Sequence, residues 1–170
     1  MSIKLKNKDM TTKEKITAKI KELGYNSRQV SVRQRAAGYS SALVVTVRDA
    51  SISLESIENA VNVFEKVDRC QASGEILSGG NTYVNVEYSD AAEAQIAAPF
   101  IAAVEKTIPT IAGNTGETVL ENYILFGEGY NAFSLHFFGQ DGAGSRISQN
   151  LSDPASIALA LGKHKLANVK

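Results

Sequence analysis

The sequence predicts an α+β fold, with a mostly antiparallel sheet of about five strands and three to four helices packed on it. Apolar and polar residues alternate in 28–47 and 83–88, as strands with one buried face require. In 12–23, 54–64 and 91–104 the apolar residues recur at helical spacing instead. With 170 residues, of which 44% are hydrophobic, the chain is long enough to enclose its own core.

The first helix is predicted to begin after Thr11. Thr11 and Glu14 have the spacing of a capping box, in which a hydroxyl and a carboxylate satisfy free backbone N–H groups at a helix start. Ile16, Ile20 and Leu23 fall on one stripe, and most of the lysines lie outside it. Gly24 is expected to end the helix, because glycine adopts the left-handed backbone that closes many helices.

A β-hairpin and a second helix are predicted next. Val30 and Val32 alternate with polar residues, a turn is expected at 38–40, and alternation resumes up to Val47. Capping residues at 49–53 then precede four apolar residues at helical spacing, opposite an acidic face. These four residues are Leu54, Ile57, Val61 and Phe64. A polar, glycine-containing loop leads from this helix into the strand at 83–88.

An alanine-rich helix opens the second half of the chain. Asp90 and Glu93 repeat the capping-box spacing at its start. Pro99 lies within it and is expected to produce a kink or a division into two pieces, because proline removes a backbone donor and clashes with the preceding turn. The favoured organisation is a basic tail at 1–10 followed by one α+β domain over 11–170, with 109–116 as the candidate boundary between two lobes.

A second hairpin and a last helix complete the prediction. Strands are expected at 119–126 and 133–138, followed by a flexible connection at 139–144. Asp153 followed by Pro154 is typical of a helix start, since the missing N–H of proline is harmless there. Gly162 is expected to end this helix and to leave a polar tail.

The net charge of zero hides an uneven distribution. Residues 1–35 contain ten lysines and arginines against three acids, and the remainder contains eight against fifteen. A basic surface can bind nucleic-acid phosphates and an acidic one can attract a basic protein, although charged helix faces are also ordinary solvated surfaces. The candidate nucleic-acid-binding residues are Lys13, Lys15, Lys19, Lys21, Arg28, Arg33 and Arg35. The candidate protein-binding residues are Glu55, Glu58, Glu65, Asp68 and Glu75.

No residue pattern predicts a catalytic centre, a cofactor or a metal site. The glycine-containing runs at 74–81 and 139–146 lack the lysine or the surrounding βαβ unit of phosphate-binding loops. His136 lies in a predicted strand and His164 lies among lysines, so neither forms a zinc ligand set with Cys70. Because Cys70 is the single cysteine, an intramolecular disulfide is excluded.

The sequence predicts no membrane span and a cytoplasmic location. It has no run of about 18 apolar residues, and its lysine-containing start has no apolar signal region. A single cysteine also argues against an oxidising compartment.

Four features of residues 12–90 resemble a known module. They are the strand over Ser31–Arg33, the second strand ending at Arg48 and Asp49, the helix ending near Phe64, and the run GEILSGGNTYV at 74–84. In this order the segment is similar to large polyvalent protein associated domain 29, a module carried by phages, plasmids and other mobile elements. The resemblance implies a phage or mobile-element protein that acts in the host cell, and suggests protection of incoming DNA from host defences.

Three functions are expected, in order of preference. The first is a non-catalytic accessory protein that binds a host or element-encoded protein, with an anti-defence role suggested by the resemblance. The second is nucleic-acid binding through the basic N-terminal region. The third is an enzyme of a type that the sequence does not define.

Overall fold

A computed structural model describes residues 10–37, 40–77, 79–110, 116–129, 132–138 and 144–168. Within these residues the chain forms four α-helices and seven strands, in sheets of three and four strands. The α+β class and the mainly antiparallel pairing are confirmed, since four of the five strand pairings are antiparallel. No helix within these residues is both long and apolar enough to cross a membrane.

The chain divides into two compact units, Met1–Ser89 and Asp90–Lys170. The segment 109–116, the candidate boundary in the sequence, belongs to the second unit. Much of that segment, most of the turn at 38–40, nearly all of the predicted tail at 1–10 and the connection at 139–143 lie outside the described residues.

The first unit has the order helix, hairpin, helix, strand. Its elements are α1 (Thr12–Glu22), β1 (Val30–Ala37), β2 (Ser40–Val47), α2 (Leu54–Val61) and β3 (Thr82–Tyr88). β1 and β2 are antiparallel, whereas β2 and β3 are parallel and are joined through α2. A parallel neighbour requires a crossover of this kind, because a tight turn returns the chain antiparallel.

The predicted start and end of α1 are confirmed. Thr11 Oγ1 accepts a hydrogen bond from the Glu14 backbone at 3.3 Å, and the Glu14 carboxylate accepts one from the Thr11 backbone at 2.7 Å. This is a complete capping box, which satisfies two backbone donors that the helix itself cannot pair. Gly24 follows the helix with φ +88°. Ile16 and Ile20 are the buried residues of α1, whereas Leu23, at the end of the helix, is 42% exposed and not part of the buried stripe.

The core of the first unit lies on one face of the three-stranded sheet. Leu43, Val45 and Val47 alternate along β2 and are almost completely buried, as are Ile57 and Val61 of α2. Burial of such side chains contributes most of the stability of a small unit, at about 1.5–3 kcal/mol each. The period of two in β2 and the period of 3.6 in α2 are therefore confirmed as core signals.

Two polar side chains between β2 and α2 and at the end of β3 are paired. The Tyr88 hydroxyl at the end of β3 donates to the Ile52 carbonyl at 2.6 Å, and burial raises the pKa of this tyrosine. Hydrogen bonds from the Ser51 side chain, from Gln29 and from the Ser51 backbone lower the pKa of the Asp49 carboxyl. These contacts hold the segment between β2 and α2 in place.

The second unit is an antiparallel meander with two helices. Its elements are α3 (Asp90–Thr107), β4 (Glu117–Leu120), β5 (Tyr123–Gly129), β6 (Ala132–Phe138), β7 (Gly144–Leu151) and α4 (Pro154–Ala167). The strands pair in chain order, β4-β5-β6-β7. Leu125 and Leu135 from the sheet share one buried core with Ile157 and Leu161 from α4.

Two strand predictions in the second unit require correction. The strand expected at 119–126 is divided into β4 and β5 by a turn at Glu121, whose φ of +57° takes it out of the extended region. The strand β7 was not predicted, because Ile147 and Leu151 are its only large apolar residues and give no clear alternation. It is partly exposed along most of its length, so few of its positions need apolar side chains.

Two helix predictions in the second unit also require correction. Pro99 does not divide α3 into two pieces, because the surrounding alanines are strong helix formers and the helix buries Ile96, Ala97 and Val104. α4 continues past Gly162 to Ala167. Gly162 is instead a packing residue, since a Cβ atom there would lie 2.6 Å from the carbonyl oxygen of Ile96 on α3. Glycine permits this close approach of two helix backbones.

Candidate functional site

The segment that joins α2 to β3 contains a hairpin-like excursion, residues 66–82, hereafter the 66–82 loop. Lys66 and Thr82 exchange two backbone hydrogen bonds of 2.9 and 2.7 Å, which close the loop at its base. Further out, Arg69 and Ile76 face each other as an antiparallel bridge. The two arms of the loop therefore pair with each other, as they would in a short hairpin. Ser78 lies outside the described residues.

Asn81 fixes the conformation of the 66–82 loop. Its side chain is only 2% exposed. The Oδ1 atom accepts from the Asp68 backbone N–H at 2.8 Å, and Nδ2 donates to the Leu77 carbonyl at 2.7 Å. The first bond joins the two arms of the loop and the second lies within one arm, so this buried amide satisfies one backbone donor and one backbone acceptor. Together they favour one conformation of the described part of the loop.

The end of the 66–82 loop is a tight turn. The Cys70 backbone donates to the Glu75 carbonyl at 2.8 Å, and Gly74, with φ +73°, donates to the Cys70 carbonyl at 2.9 Å. Hydrogen bonds from the side chain and backbone of Ser73 lower the pKa of the Cys70 thiol. A lowered thiol pKa increases the thiolate fraction, so Cys70 is a convenient position for chemical labelling.

Large apolar side chains are exposed on and next to this loop. Ile76 and Leu77 are 48% and 49% exposed, and Val63, just before the loop, is 76% exposed. Within the described residues, three of the seven exposed large apolar side chains therefore lie between positions 63 and 77. Single exposed apolar residues are common, but a concentration of them on an ordered loop is typical of a contact surface.

The acidic residues predicted from the sequence fall on α2 and on the segment 65–77. Glu55 is exposed and Glu58 is half-buried, one turn apart on α2. The Glu65 carboxylate accepts from the Val84 backbone N–H at 3.0 Å, so it pairs an edge group of β3. Asp68 lies 4.0 Å from Lys66 and remains exposed. Glu75 accepts from the Ser73 hydroxyl at 3.2 Å and is also exposed.

The acids thus differ in what they do within the fold. Glu65 is occupied by the backbone of β3, and its replacement would leave an edge N–H of the strand without this partner. Asp68 and Glu75 flank the exposed apolar pair Ile76 and Leu77 in the 66–82 loop. The loop therefore combines apolar side chains with two exposed carboxylates.

The basic residues predicted from the sequence are distributed over α1, the following turn and β1. Lys13 and Lys21 line a cleft of about 240 Å³ between α1 and β1, together with Tyr25. Lys19 pairs with Glu22 at 3.2 Å, and Lys15 is exposed outside the cleft lining. The structure therefore brings Lys13 and Lys21 together, and separates them from Lys15 and Lys19.

The arginines follow the geometry of the strand. Arg33 and Arg35 are both exposed and occupy alternate positions of β1, which places them on the same face of the sheet. Arg28 is exposed in the turn that precedes β1. The two arginines of β1 form the second local concentration of positive charge.

The two histidines lie in the second unit, in aromatic surroundings. His164 belongs to α4 rather than to a polar tail, and its Nδ1 lies 3.0 Å from the Tyr123 hydroxyl. Burial lowers the pKa of His164 and raises that of Tyr123, so the neutral form of each group is favoured. The His136 ring lies 4.7 Å from the Phe126 ring in an edge contact. A neutral hydrogen bond between the buried Tyr123 and the half-buried His164 satisfies both groups and is a packing contact.

Metal ligands do not converge in the described part of the chain, where no group of three histidine, cysteine, aspartate or glutamate side chains is arranged to hold an ion. Comparisons with protein-family models, with curated proteins and with solved structures found no match to this chain.

Sequence reasoning missed Ile76, Leu77 and Asn81 as candidate site residues. The signal was present in the run GEILSGGN, where an apolar pair interrupts an otherwise polar loop. The exposure of Ile76 and Leu77 depends on the pairing of the loop arms through Asn81. Asn81 lies 13 residues from its partner Asp68 along the chain. No local sequence pattern specifies such a contact.

Proposed function

We propose that this protein is a non-catalytic accessory protein that binds another protein through the 66–82 loop. The observation that carries the proposal is the exposure of Ile76 and Leu77 on a loop whose conformation is fixed by the buried Asn81. A protein partner with an apolar depression would bury both side chains.

The apolar side chains and the fixed conformation of the loop favour high affinity for a partner even if the buried contact area is small. Burial of an apolar side chain gains about 25 cal/mol per Å² removed from water. An ordered loop loses little conformational entropy on binding, so more of that gain appears as affinity. Asp68 and Glu75 beside the apolar pair favour a partner with a basic rim, because complementary charge increases the rate of encounter and disfavours other partners.

The proposed partner is a protein of the host or of the same mobile element, and the proposed location is the host cytoplasm. The resemblance of residues 12–90 to large polyvalent protein associated domain 29 supports this context. Within it, an anti-defence role follows naturally for a protein whose action is to occupy the surface of a host factor. The proposal requires no cofactor.

Labelling at Cys70 provides the test. The single thiol accepts a photo-crosslinker within the loop itself. The labelled protein, irradiated in host lysate, is expected to form one dominant protein adduct. The double variant I76S/L77S should reduce the yield of that adduct by about tenfold, since loss of two anchoring side chains costs at least one factor of ten in affinity.

The matched control is V119S, which removes an exposed apolar side chain from β4 in the second unit. It should leave the adduct yield unchanged. The charge contribution is tested separately with D68K/E75K, which should slow association and reduce its dependence on salt. Equal adduct yields from I76S/L77S and the parent protein would refute the proposal.

Nucleic-acid binding is the second candidate, favoured by the exposed Arg33 and Arg35 on one face of β1. Each phosphate contact releases counterions, so the affinity would fall steeply with salt. Fluorescence anisotropy of labelled single-stranded and duplex DNA at low and physiological salt measures this slope. Binding that survives physiological salt and weakens in R33A/R35A would place this function above protein binding, whereas no binding at either salt would eliminate it.

A further inference from the structure

β1 is an edge strand with an unpaired outer side. It pairs with β2 alone among the described strands. The Arg48 backbone donates to the Gln29 carbonyl at 2.7 Å, and this bond fixes which residues of β1 face β2. Because hydrogen-bonded and non-bonded positions alternate in an antiparallel pair, Val32 and Gln34 direct their N–H and C=O groups away from β2. No backbone partner from the described residues meets these groups.

The unpaired edge borders the cleft between α1 and β1. Its apolar lining includes Ile20 and Val30, each 3% exposed, and Val32. Ser31 also lines the cleft. Its side chain alternates with those of Val30 and Val32, so its Oγ atom belongs to the opposite face of the sheet, where it is shielded from solvent and has no hydrogen-bond partner within the described residues.

The charge around this edge is positive on both sides of the strand. Lys13 and Lys21 line the cleft on the α1 side. Arg33 and Arg35 are exposed on the opposite face of the sheet, because they alternate with Val32 and Gln34. A strand added to β1 would therefore place its alternate side chains next to the cleft on one side and next to the two arginines on the other.

We infer that the edge of β1 binds an extended acidic peptide, which adds to the sheet as a fourth strand in antiparallel or parallel register. Outward N–H and C=O groups that recur about every 7 Å match the repeat of an extended polypeptide. Side chains on the α1 side would be apolar and would occupy the cleft, and those on the other side would be acidic. A nucleic-acid backbone has no N–H donors for the outward carbonyl groups, and among the described residues Tyr25 is the one aromatic side chain that lines the cleft.

This inference goes beyond the proposed function, since it concerns a basic edge and an acidic ligand instead of the acidic 66–82 loop. The two surfaces share no residue. Variants of one surface therefore leave the other intact, and the two proposals fail or succeed separately.

The probe is a fluorescein-labelled peptide that alternates valine with glutamate. It is expected to bind the full chain at physiological salt, and binding should slow amide hydrogen exchange at Val32 and Gln34. The same peptide methylated at alternate backbone nitrogens should bind at least about tenfold more weakly, because it loses the backbone bonds of an added strand. A valine–lysine peptide should not bind.

Two variants test the site in the protein. V32P removes one outward N–H and is tolerated at the edge of a sheet, and R33E/R35E reverses the charge next to the acidic side chains of the peptide. Each should weaken binding of the valine–glutamate peptide by about tenfold. K15E/K19E, which makes the same change in charge on α1 outside the cleft lining, should change it by less than about threefold. Circular dichroism confirms the fold of each variant.

Three results would overturn the inference. They are equal affinity for the methylated and unmethylated peptides, unchanged exchange at Val32 and Gln34 with the peptide bound, and tighter binding of a single-stranded oligonucleotide than of the peptide at the same salt concentration. The last result would assign the basic edge to nucleic acid.

Discussion

The two compact units use their charged side chains in different ways. In the first unit, within the described residues, each ion pair joins close neighbours in sequence, Lys19 with Glu22 and Lys66 with Asp68. In the second unit Lys163 joins α4 to Glu93 of α3 at 2.7 Å, and Lys165 joins α4 to Glu121 in the turn before β5. The second unit therefore uses its charges to hold its own elements together.

The exposed apolar side chains also divide unevenly between the units. Of the seven large ones in the described residues, five lie in the first unit, and Val119 and Phe138 lie in the second. Tyr123, Phe133 and Leu135 of the second unit are almost completely buried in one core with α4. In the first unit, Ile76 and Leu77 are about half exposed on an ordered loop. Function is accordingly expected to depend on surface positions of the first unit, and substitutions in the second unit are expected to act through stability.

Of the substitutions considered, G162A is expected to cause the largest loss of stability. G162A places a methyl group 2.6 Å from the Ile96 carbonyl oxygen, so α3 and α4 must move apart. The free energy of unfolding should fall by about 1–3 kcal/mol, as for other overpacked cores. A loss of stability would be informative, because helix propensity alone predicts a gain: alanine is favoured over glycine in a helix by about 1 kcal/mol. Urea denaturation measures the change.

A98G is the control for G162A. Ala98 is exposed in the same pair of helices, on α3, so its replacement reports helix propensity without a change in packing. It should cost about 1 kcal/mol. A stabilised G162A variant would show that the two helices are not in close contact.

An equal or smaller loss of stability is expected at Asn81 in the first unit. N81A leaves the Asp68 N–H and the Leu77 carbonyl without their partner, which should cost about 1–3 kcal/mol if both remain buried and less if water replaces the amide. Amide exchange should increase within the 66–82 loop more than in β2. N85A, at an exposed position of β3, should leave both measurements near those of the parent protein.

The pH dependence of stability tests the second unit. Because burial lowers the folded-state pKa of His164, the unfolded chain binds a proton more readily. The contribution of His164 is complete above its unfolded pKa of about 6.5 and is lost as the pH falls from there through the folded value. H164Q should remove this loss of stability as the pH falls below about 6.5, as measured by urea denaturation at each pH. A parallel pH profile for H164Q and the parent protein would contradict the prediction.

The smallest effect on stability is expected from I76S/L77S. Both side chains are about half exposed, so each replacement should change the free energy of unfolding by about 0.5 kcal/mol or less. Thermal denaturation checks this value. The combination of unchanged stability and lost partner binding would separate surface function from folding, and a large loss of stability would show that the loop packs as part of the core.

Periodicity predicted the parts of the fold that depend on local rules. The capping box at Thr11 and the alternation of Leu43 with Val45 are each determined by neighbours a few residues away, and both are confirmed. The role of Gly162 and the turn at Glu121 depend on which distant elements meet, and the sequence signals there were misleading or absent. Gly162 has the appearance of a helix stop because close helix contact and helix termination both require glycine.

The candidate sites were predictable in composition but not in grouping. The sequence indicates basic residues before position 35 and acidic residues after it. It does not show that Lys13 and Lys21 share a cleft without Lys15, or that Glu65 is occupied by the β3 backbone. The first distinction depends on which face of α1 is turned toward β1. The second depends on the path of the chain from α2 into β3. Both are properties of the tertiary structure.

The parallel pairing of β2 with β3 also affects how the chain reaches its folded state. Ser41 and Thr82 are adjacent in space but 41 residues apart in sequence, whereas every strand of the meander pairs with the next one along the chain. The long segment between β2 and β3 must lose its conformational entropy before the parallel pairing can stabilise the first unit. This requirement slows folding. Closure of β3 onto β2 is therefore the expected rate-limiting step for the first unit. Until that step is complete, β2 and its apolar face are open to pairing with other chains, so the newly made protein is most prone to aggregation at this stage.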